Sequence, residues 1–594
     1  MNTANIFKTF KVAGFDLALI ILAYLISLPL QNELAFLAPI TVTILIQPTR
    51  GKTYHLGIQR LIGTVFGSIL AVLLISFIPV QPWWVVLCLT LLVSFFAAVA
   101  SSGNVMNGYL FQLTGYTAAI VFMTTYGKHQ DINEAGSLRV IGSMIGILVA
   151  LLGLTLLKKE SDRLTLKKRS LKVKHLLYKW VRSTLKEGVT QKNISIRQDL
   201  FRRVNELNAL SYYAASERFF FGSIRRHTLH LMGSVYTILS INRALIRKIA
   251  DRPLEERGLL TEKDFPQLAS LFTKLESRPT TYSVPTNVNW RGARIAFART
   301  LLAGFISGGV WVLLDLKAGS TFFLITIIHC CLLTTLHQPR QRYLIILKSL
   351  FVVFFIISLY FYFFRPQMNP GFLHFLILLS PGFMLRFIPR YADLGLRVNL
   401  FTLVMYSICA TYGAQFSYTI LLQEFSAFIG AVGFALFMTN YFFPQMAKER
   451  FFHEHQQLLK ELRQITHLQV PLSTDWMMRM YGHIERMMFF AHEVSMDETE
   501  IMNEGLSVID ICVELLELRS RMAFMSPGVK KRITLASQSI TDFTTDLAVR
   551  CQLLENIAQE MMTIDQEVAR NIEVIIKKIK LNERLFKKEK LTAN

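Results

Sequence analysis

Apolar residues run almost uninterrupted over two stretches of the chain, near 13–157 and 295–443, and recur at helical steps among polar residues elsewhere. The first stretch divides into runs near 13–30, 33–47, 58–78, 83–100, 105–125 and 139–157. The second divides near 295–314, 319–336, 343–364, 371–388, 398–416 and 421–443. An apolar run of about 18 or more residues reads as a membrane helix, because a helix satisfies its own backbone in lipid. The pattern predicts an all-α polytopic membrane protein with two six-helix transmembrane modules. The run at 33–47 is among the shortest.

The polar blocks between and after these stretches keep apolar residues at steps of three and four. Examples are "DLFRRVNELNALSYYAASERFF" and "GLSVIDICVELLELRSRMAF". Each block reads as a helical bundle, punctuated by "PLSTD" (471–475) and "SPG" (526–528). The expected organisation is therefore a first membrane module at 1–157, a helical domain at 158–294, a second membrane module at 295–444 and a C-terminal helical domain at 445–594.

Composition narrows the classes. A chain that is 52% apolar is too hydrophobic for a large soluble enzyme. Its net charge of +23 comes largely from Lys and Arg in alternate loops: Lys8 and Lys11, then Arg50 and Lys52, then the stretch from Lys158 to Arg169. The links between carry almost no positive charge. Positive loops stay inside, so the termini and both polar blocks are expected in the cytoplasm. No base-reading or stacking element accompanies the charge, so nucleic acid is not an expected partner. The basic stretch Lys158–Lys186 reads first as a solvated helix face and second as a surface for anionic lipid.

The chain's six cysteines show no CxxC or Cys/His zinc spacing, so neither a metal site nor a disulfide is expected. "HEH" at 453–455 lacks the HExxH spacing. No Gly-rich phosphate loop or Walker lysine is present, and no cofactor is expected. The first apolar run leads straight into another without a small-residue cleavage pattern, unlike a secretory signal.

The order membrane, polar, membrane, polar suggests a duplication, and a local match supports it. Gln47-Pro48-Thr49-Arg50 closes the second run and Gln338-Pro339-Arg340 closes the eighth; Arg60 and Lys348 then lie on the next apolar run of each half.

Arg60, Gly63, Gly67 and Ala71 form one helical stripe, and Arg139, Gly142, Gly146 and Gly153 another. Small residues at this spacing let membrane helices pack closely or flank a permeation path. Both arginines share a face with glycines and so point at protein. A guanidinium there suits a carboxylate, either the protein's own or a substrate's.

The segment "ELAFLAPITVTILIQPTRGKTYHLGIQRLIGTVFGSILA" (33–71) resembles the fusaric-acid-resistance and aromatic-acid-exporter (FUSC-type) family of bacterial inner-membrane proteins. The likeness rests on Gln47-Pro48, the basic Arg50-Gly51 link, and Arg60, Gly63, Thr64 and Gly67. The second half departs from it: Lys348 stands for the arginine, and "SLFVVFF" replaces the glycines. The resemblance implies proton-driven efflux of aromatic carboxylic acids across the inner membrane. Some members work with a periplasmic adaptor, and related modules suggest a homodimer. Plant organic-anion channels share a similar module, so a gated channel stays open. So does a scaffold acting through its cytoplasmic domains.

On this reading Arg60, Lys348, Arg139 and Arg299 are the expected substrate-binding residues. Asp16 is the expected proton-coupling residue. Gly63, Gly67, Gly142 and Gly146 are helix-packing positions. Ionisable residues at membrane depth are functional suspects by default, which adds Glu33, Glu424, Arg386, His329 and His374. Tyr109, Gln112, Thr114 and Tyr116, with Asn399, Tyr406 and Tyr412, supply polar and aromatic surface that also suits ordinary packing. Trp83 and Trp84 fit an interfacial belt.

Overall fold

In the computed structural model, the described residues are 3–586 apart from 30–35, 48, 78–80, 103–104, 127–131, 157–160, 188–189, 218–221, 251–289, 335–338, 365–371, 389–390, 411–416, 443–446, 468–473, 492–496, 523–524 and 543–544. Every regular element among them is helical. The chain divides into two compact units: Met1–Asp162 with Thr286–Gln445, and Arg163–Pro285 with Met446–Asn594.

The first unit opens with α1 (Thr3–Ser27), α2 (Leu37–Leu45), α3 (Arg50–Phe77), α4 (Pro82–Ser102), α5 (Val105–Thr125) and α6 (Ile132–Leu156). The second unit follows with α7 (Asp162–Glu187), α8 (Gln191–Ser216) and α9 (Gly222–Ala250). The chain then returns to the first unit as α10 (Trp290–Leu314), α11 (Gly319–Leu333), α12 (Pro339–Phe364), α13 (Phe372–Phe387), α14 (Ala392–Ala410) and α15 (Tyr418–Phe437). It ends in the second unit as α16 (Ala447–His467), α17 (Thr474–Ala491), α18 (Glu498–Met522), α19 (Pro527–Thr541), α20 (Leu547–Met562) and α21 (Gln566–Leu581).

Six of the helices among the described residues are long and apolar enough to cross a membrane: Arg50–Phe77, Pro82–Ser102, Asn133–Leu154, Trp290–Leu314, Tyr343–Phe363 and Tyr418–Phe442. The expectation of two modules with six transmembrane helices each is thereby corrected. Apolar run length overstated the number because not every run becomes one long apolar helix. α2 has nine residues, roughly 13 Å at 1.5 Å per residue against a hydrocarbon core of about 30 Å. α11 has fifteen, and the described apolar part of α1 is the shorter helix Val12–Ser27. Pro381 sits inside α13. α5 and α14 are diluted by polar residues, including Gln112 on one and Arg397 and Asn399 on the other.

The two halves of the first unit meet through reciprocal contacts. α4 packs on α10 and α1 on α13; α5 packs on α11 and α2 on α14. Within the halves, α3 packs on α5 as α12 does on α14, and α2 packs on α6 as α11 does on α15. Counting helices from the start of each half, every one of these contacts is the counterpart of another. An internal duplication docked about a pseudo-twofold axis produces this pattern. The short helices α2 and α11 are counterparts under it.

The second unit has one hydrophobic core, to which both polar blocks contribute, from Leu166 to Phe586. Tyr236 on α9 stacks on Tyr481 on α17 with ring centroids 4.1 Å apart. Arg197 on α8 donates to Asp510 on α18 at 3.0 Å, both buried. The two polar blocks thus form a common body.

Candidate functional site

The buried face of α3 contains Gly57, Arg60, Gly63, Thr64, Gly67 and Ala71, a stripe of mostly small side chains with one guanidinium. The glycines let neighbouring backbones close in. A Cβ at Gly63 would sit 3.0 Å from the Leu110 carbonyl, and one at Gly67 would sit 2.8 Å from the Thr114 carbonyl, both on α5. On α6, a Cβ at Gly146 would lie 2.6 Å from the Thr41 Cβ and 2.7 Å from the Ala38 carbonyl of α2. Gly142 is buried on the same helix.

These approaches bring hydroxyls to Arg60. Its Nε donates to Thr41 Oγ1 at 3.2 Å and its Nη1 to the Tyr109 hydroxyl at 3.1 Å. Tyr116, two turns from Tyr109 on α5, lies within electrostatic reach of both Tyr109 and Arg60. Arg139 on α6 lies within electrostatic reach of Arg60 and Tyr116. Two guanidinium groups and two phenols therefore share one part of the first unit. Among the described residues no carboxylate is placed against either arginine. Like charges gathered in a low-dielectric setting repel unless an anion joins them.

α5 also reaches the other half. One turn beyond Tyr109, Gln112 Nε2 donates to the Cys331 carbonyl at 2.8 Å and to Thr334 Oγ1 at 3.0 Å, at the end of α11. The Tyr343 hydroxyl donates to the His329 carbonyl at 3.1 Å. Backbone carbonyls near the end of this short helix are thus met by side chains from α5 and α12.

The remaining expected site residues are dispersed. Lys348 is exposed on α12 and does not join Arg60, because the face of α12 that carries it points out of the unit. Arg299 is fully buried on α10, apart from the Arg60 cluster. Asp16 is fully buried on α1 and is ion-paired with Arg386 of α13. His329 is bonded locally, Nδ1 to the Ile325 carbonyl at 2.8 Å. Glu424 is buried on α15. Glu33, Tyr412, Pro48 and Gln338 lie outside the described residues, as does the side chain of His374. Among the described residues, no group of three or more His, Cys, Asp or Glu side chains is placed to hold a metal.

Thr41 carries no signal in the sequence beyond being a hydroxyl in an apolar run. The Asp16–Arg386 pairing joins positions 370 residues apart, which no local pattern discloses.

Comparison with known proteins adds the family. The family model described as the fusaric acid resistance protein family matches residues 17–281 and 254–574. The chain is 32% identical over 115 residues to the p-hydroxybenzoic acid efflux pump subunit AaeB of Edwardsiella tarda (strain FL6-60), covering 19% of this chain and 18% of that protein. The same subunit of Edwardsiella ictaluri (strain 93-146) matches to the same extent. The uncharacterized transporter YdhK of Escherichia coli (strain K12) is 30% identical over 119 residues, 19% of this chain and 18% of that one. The chain thus spans about a fifth of the length of the curated relatives it matches. No solved structure matches it significantly.

Proposed function

Because the chain belongs to the fusaric acid resistance protein family, we propose that it is a multi-pass membrane transporter exporting small organic anions, with aromatic carboxylates as the substrate class. The observation that carries this reading is the pairing of Arg60 and Arg139 beside Tyr109 and Tyr116, with no carboxylate among the described residues against either guanidinium. A guanidinium receives a carboxylate through two parallel hydrogen bonds. The tyrosines supply ring faces for an aromatic body and hydroxyls for a ring substituent. The names of the AaeB relatives, p-hydroxybenzoic acid efflux pump subunits, agree with an acid of that shape. Their designation as subunits also leaves room for a second component, such as a periplasmic adaptor.

The membrane is the bacterial inner membrane, with both termini and the second unit on the cytoplasmic side, following the bias of Lys and Arg in alternate loops. Proton coupling is assigned to Asp16. Its ion pair with Arg386 gives the first unit a two-state element: a proton on Asp16 releases Arg386, and loss of that proton re-forms the pair. Arg60 and Arg139 hold the anion while this exchange proceeds.

The test is flux into proteoliposomes holding the purified full chain, with p-hydroxybenzoate and other substituted benzoates, with and without a pH gradient. Concentrative uptake that follows the gradient and disappears in Arg60→Ala supports the proposal. Equilibrating flux governed by voltage alone makes the protein an anion channel. Absence of flux for every anion tested overturns a transport role for the chain by itself.

A further inference from the structure

The contact between α1 and α13 holds the Asp16–Arg386 ion pair. Its pseudo-twofold counterpart is the contact between α10 and α4. There the helices run antiparallel and very close: Gly304 faces Thr90 and Gly308 faces Val86. Continuing that register by one turn sets Thr300 opposite Ser94.

Beside this counterpart contact, on α10, lies a cation that has no counter-ion among the described residues. Arg299 is fully buried, and its Nε, Nη1 and Nη2 have no hydrogen-bond partner. Among the described residues, the ionisable side chains within electrostatic reach of it are Cys330, Cys331 and Tyr343, and the Tyr343 hydroxyl already donates to the His329 carbonyl. Three more buried groups at the same contact are also unmet: the hydroxyls of Thr90, Ser94 and Thr300. Buried hydroxyls in membrane helices ordinarily bond a carbonyl one turn back, as Ser307 does with Ala303 at 2.7 Å. These three do not.

A buried guanidinium cannot shed its charge as a lysine can, and an isolated buried cation is among the most unfavourable arrangements a protein can hold. The unmet groups are the guanidinium donors and three hydroxyls able to donate. What completes such a set is an acceptor carrying negative charge. We infer that Arg299, with Thr90, Ser94 and Thr300, forms a second anion-binding site where α4 and α10 meet α11, taking a small monovalent anion such as a carboxylate or chloride. It is distinct from the Arg60–Arg139 cluster and does not depend on whether that cluster binds a substrate.

Cys330 and Cys331 are fully buried and serve as native reporters of this site. Their thiols react with a maleimide only when the packing around Arg299 opens. An anion bridging Arg299 to the hydroxyls holds it closed. The experiment measures maleimide modification of these two cysteines, mapped by mass spectrometry, in the full-length protein in detergent and a Hepes buffer free of chloride and carboxylates. Sodium benzoate and sodium chloride are added in separate arms.

Modification is expected to slow about tenfold when the anion stands at ten times its dissociation constant. The effect should persist in Arg60→Gln and be lost in Arg299→Gln. Protection by benzoate alone identifies the ligand as a carboxylate, and protection by both salts identifies a small-anion site of either source. Ser94→Ala and Thr300→Val, which keep the arginine, should each weaken the protection severalfold, so the test does not rest on one variant folding. Unchanged modification of the wild type with either salt overturns the inference. So does protection that survives in Arg299→Gln or vanishes in Arg60→Gln.

Discussion

Arg386 on α13 donates to Asp16 on α1, joining residues 370 positions apart within the interior of the first unit. Asp16 is fully buried, and the Arg386 side chain is 12% exposed. A pair this enclosed is favourable only while both members are present, since removing one leaves the other charged and buried. Loss of a single partner in such a pair typically costs about 3–5 kcal/mol. Asp16→Asn and Arg386→Gln are each expected to lower the thermal midpoint in detergent. The double variant should be less destabilised than the sum of the two, which a double-mutant cycle measures directly. If Asp16 couples protons, Asp16→Asn also loses gradient-driven uptake while still binding substrate.

The Arg60 cluster makes a graded prediction. Arg60→Ala removes the guanidinium and should abolish concentrative uptake. Arg60→Lys keeps the charge and loses the two-pronged geometry, so it should bind carboxylates more weakly with less preference among them. Tyr109→Phe deletes one hydroxyl, worth about 0.5–1.5 kcal/mol, and should raise the half-saturating substrate concentration by a few-fold to about tenfold. Uptake kinetics across the series separate these effects. Equal activity in Arg60→Lys and the wild type would argue against bidentate recognition.

The glycine contacts predict where the smallest enlargement is felt. A Cβ at Gly146 meets the Ala38 backbone carbonyl at 2.7 Å, and a carbonyl in a helix cannot swing aside as a side chain can. A Cβ at Gly395 on α14 would be closer still to the Gly382 carbonyl of α13, and 2.7 Å from the Arg386 amide nitrogen. Overpacking of this kind costs about 1–3 kcal/mol. Gly146→Ala should displace Thr41 from Arg60, and Gly395→Ala should disturb Arg386 and hence its pair with Asp16. By contrast Gly433 and Gly309 have open space where a Cβ would stand, and alanine there should leave the midpoint unchanged. Thermal melts of the four variants check the ranking.

The helical character of the chain was legible because periodicity and run length report it locally. So was the association of Arg60 with glycines, since residues at steps of three and seven share a face. The number of membrane-length helices was not, because run length does not show that α2 ends after nine residues or that polar side chains break up α5. Partners across the two halves were also hidden. Lys348 occupies the place of Arg60 in sequence order, yet it is exposed. A short repeat fixes position along the chain and leaves the facing of a degraded copy open. Arg299 was visible as a charge in an apolar run. That the counterpart contact carries an ion pair, while among the described residues Arg299 lacks an acceptor, follows only from the reciprocal packing of the halves.

Glu485 gives the second unit a pH dependence of definite sign. Burial on α17 pushes its carboxyl up to about 7, against the opposing pull of Arg486 and a hydrogen bond to Asn208. The folded unit therefore keeps this proton over a range in which the unfolded chain has already released it. The contribution to stability is full below the unfolded value of about 4.3, falls as pH rises towards 7, and stays low above that. His230 tilts the other way: burial, then His227 and Lys174, hold it below its ordinary value, so its contribution grows with pH up to about 6.5. Glu454 stays out of this window, because hydrogen bonds from His483 and Arg486 outweigh burial and keep its carboxyl below the ordinary value. Comparison with Glu485→Gln isolates Glu485, since glutamine mimics its neutral form. Hydrogen-exchange protection of the α17 amides in the full-length protein, corrected for intrinsic rates, should match between wild type and variant near pH 4.5. It should be higher in the variant at pH 8. Equal protection at both pH values would mean that Glu485 ionises without cost in the folded unit.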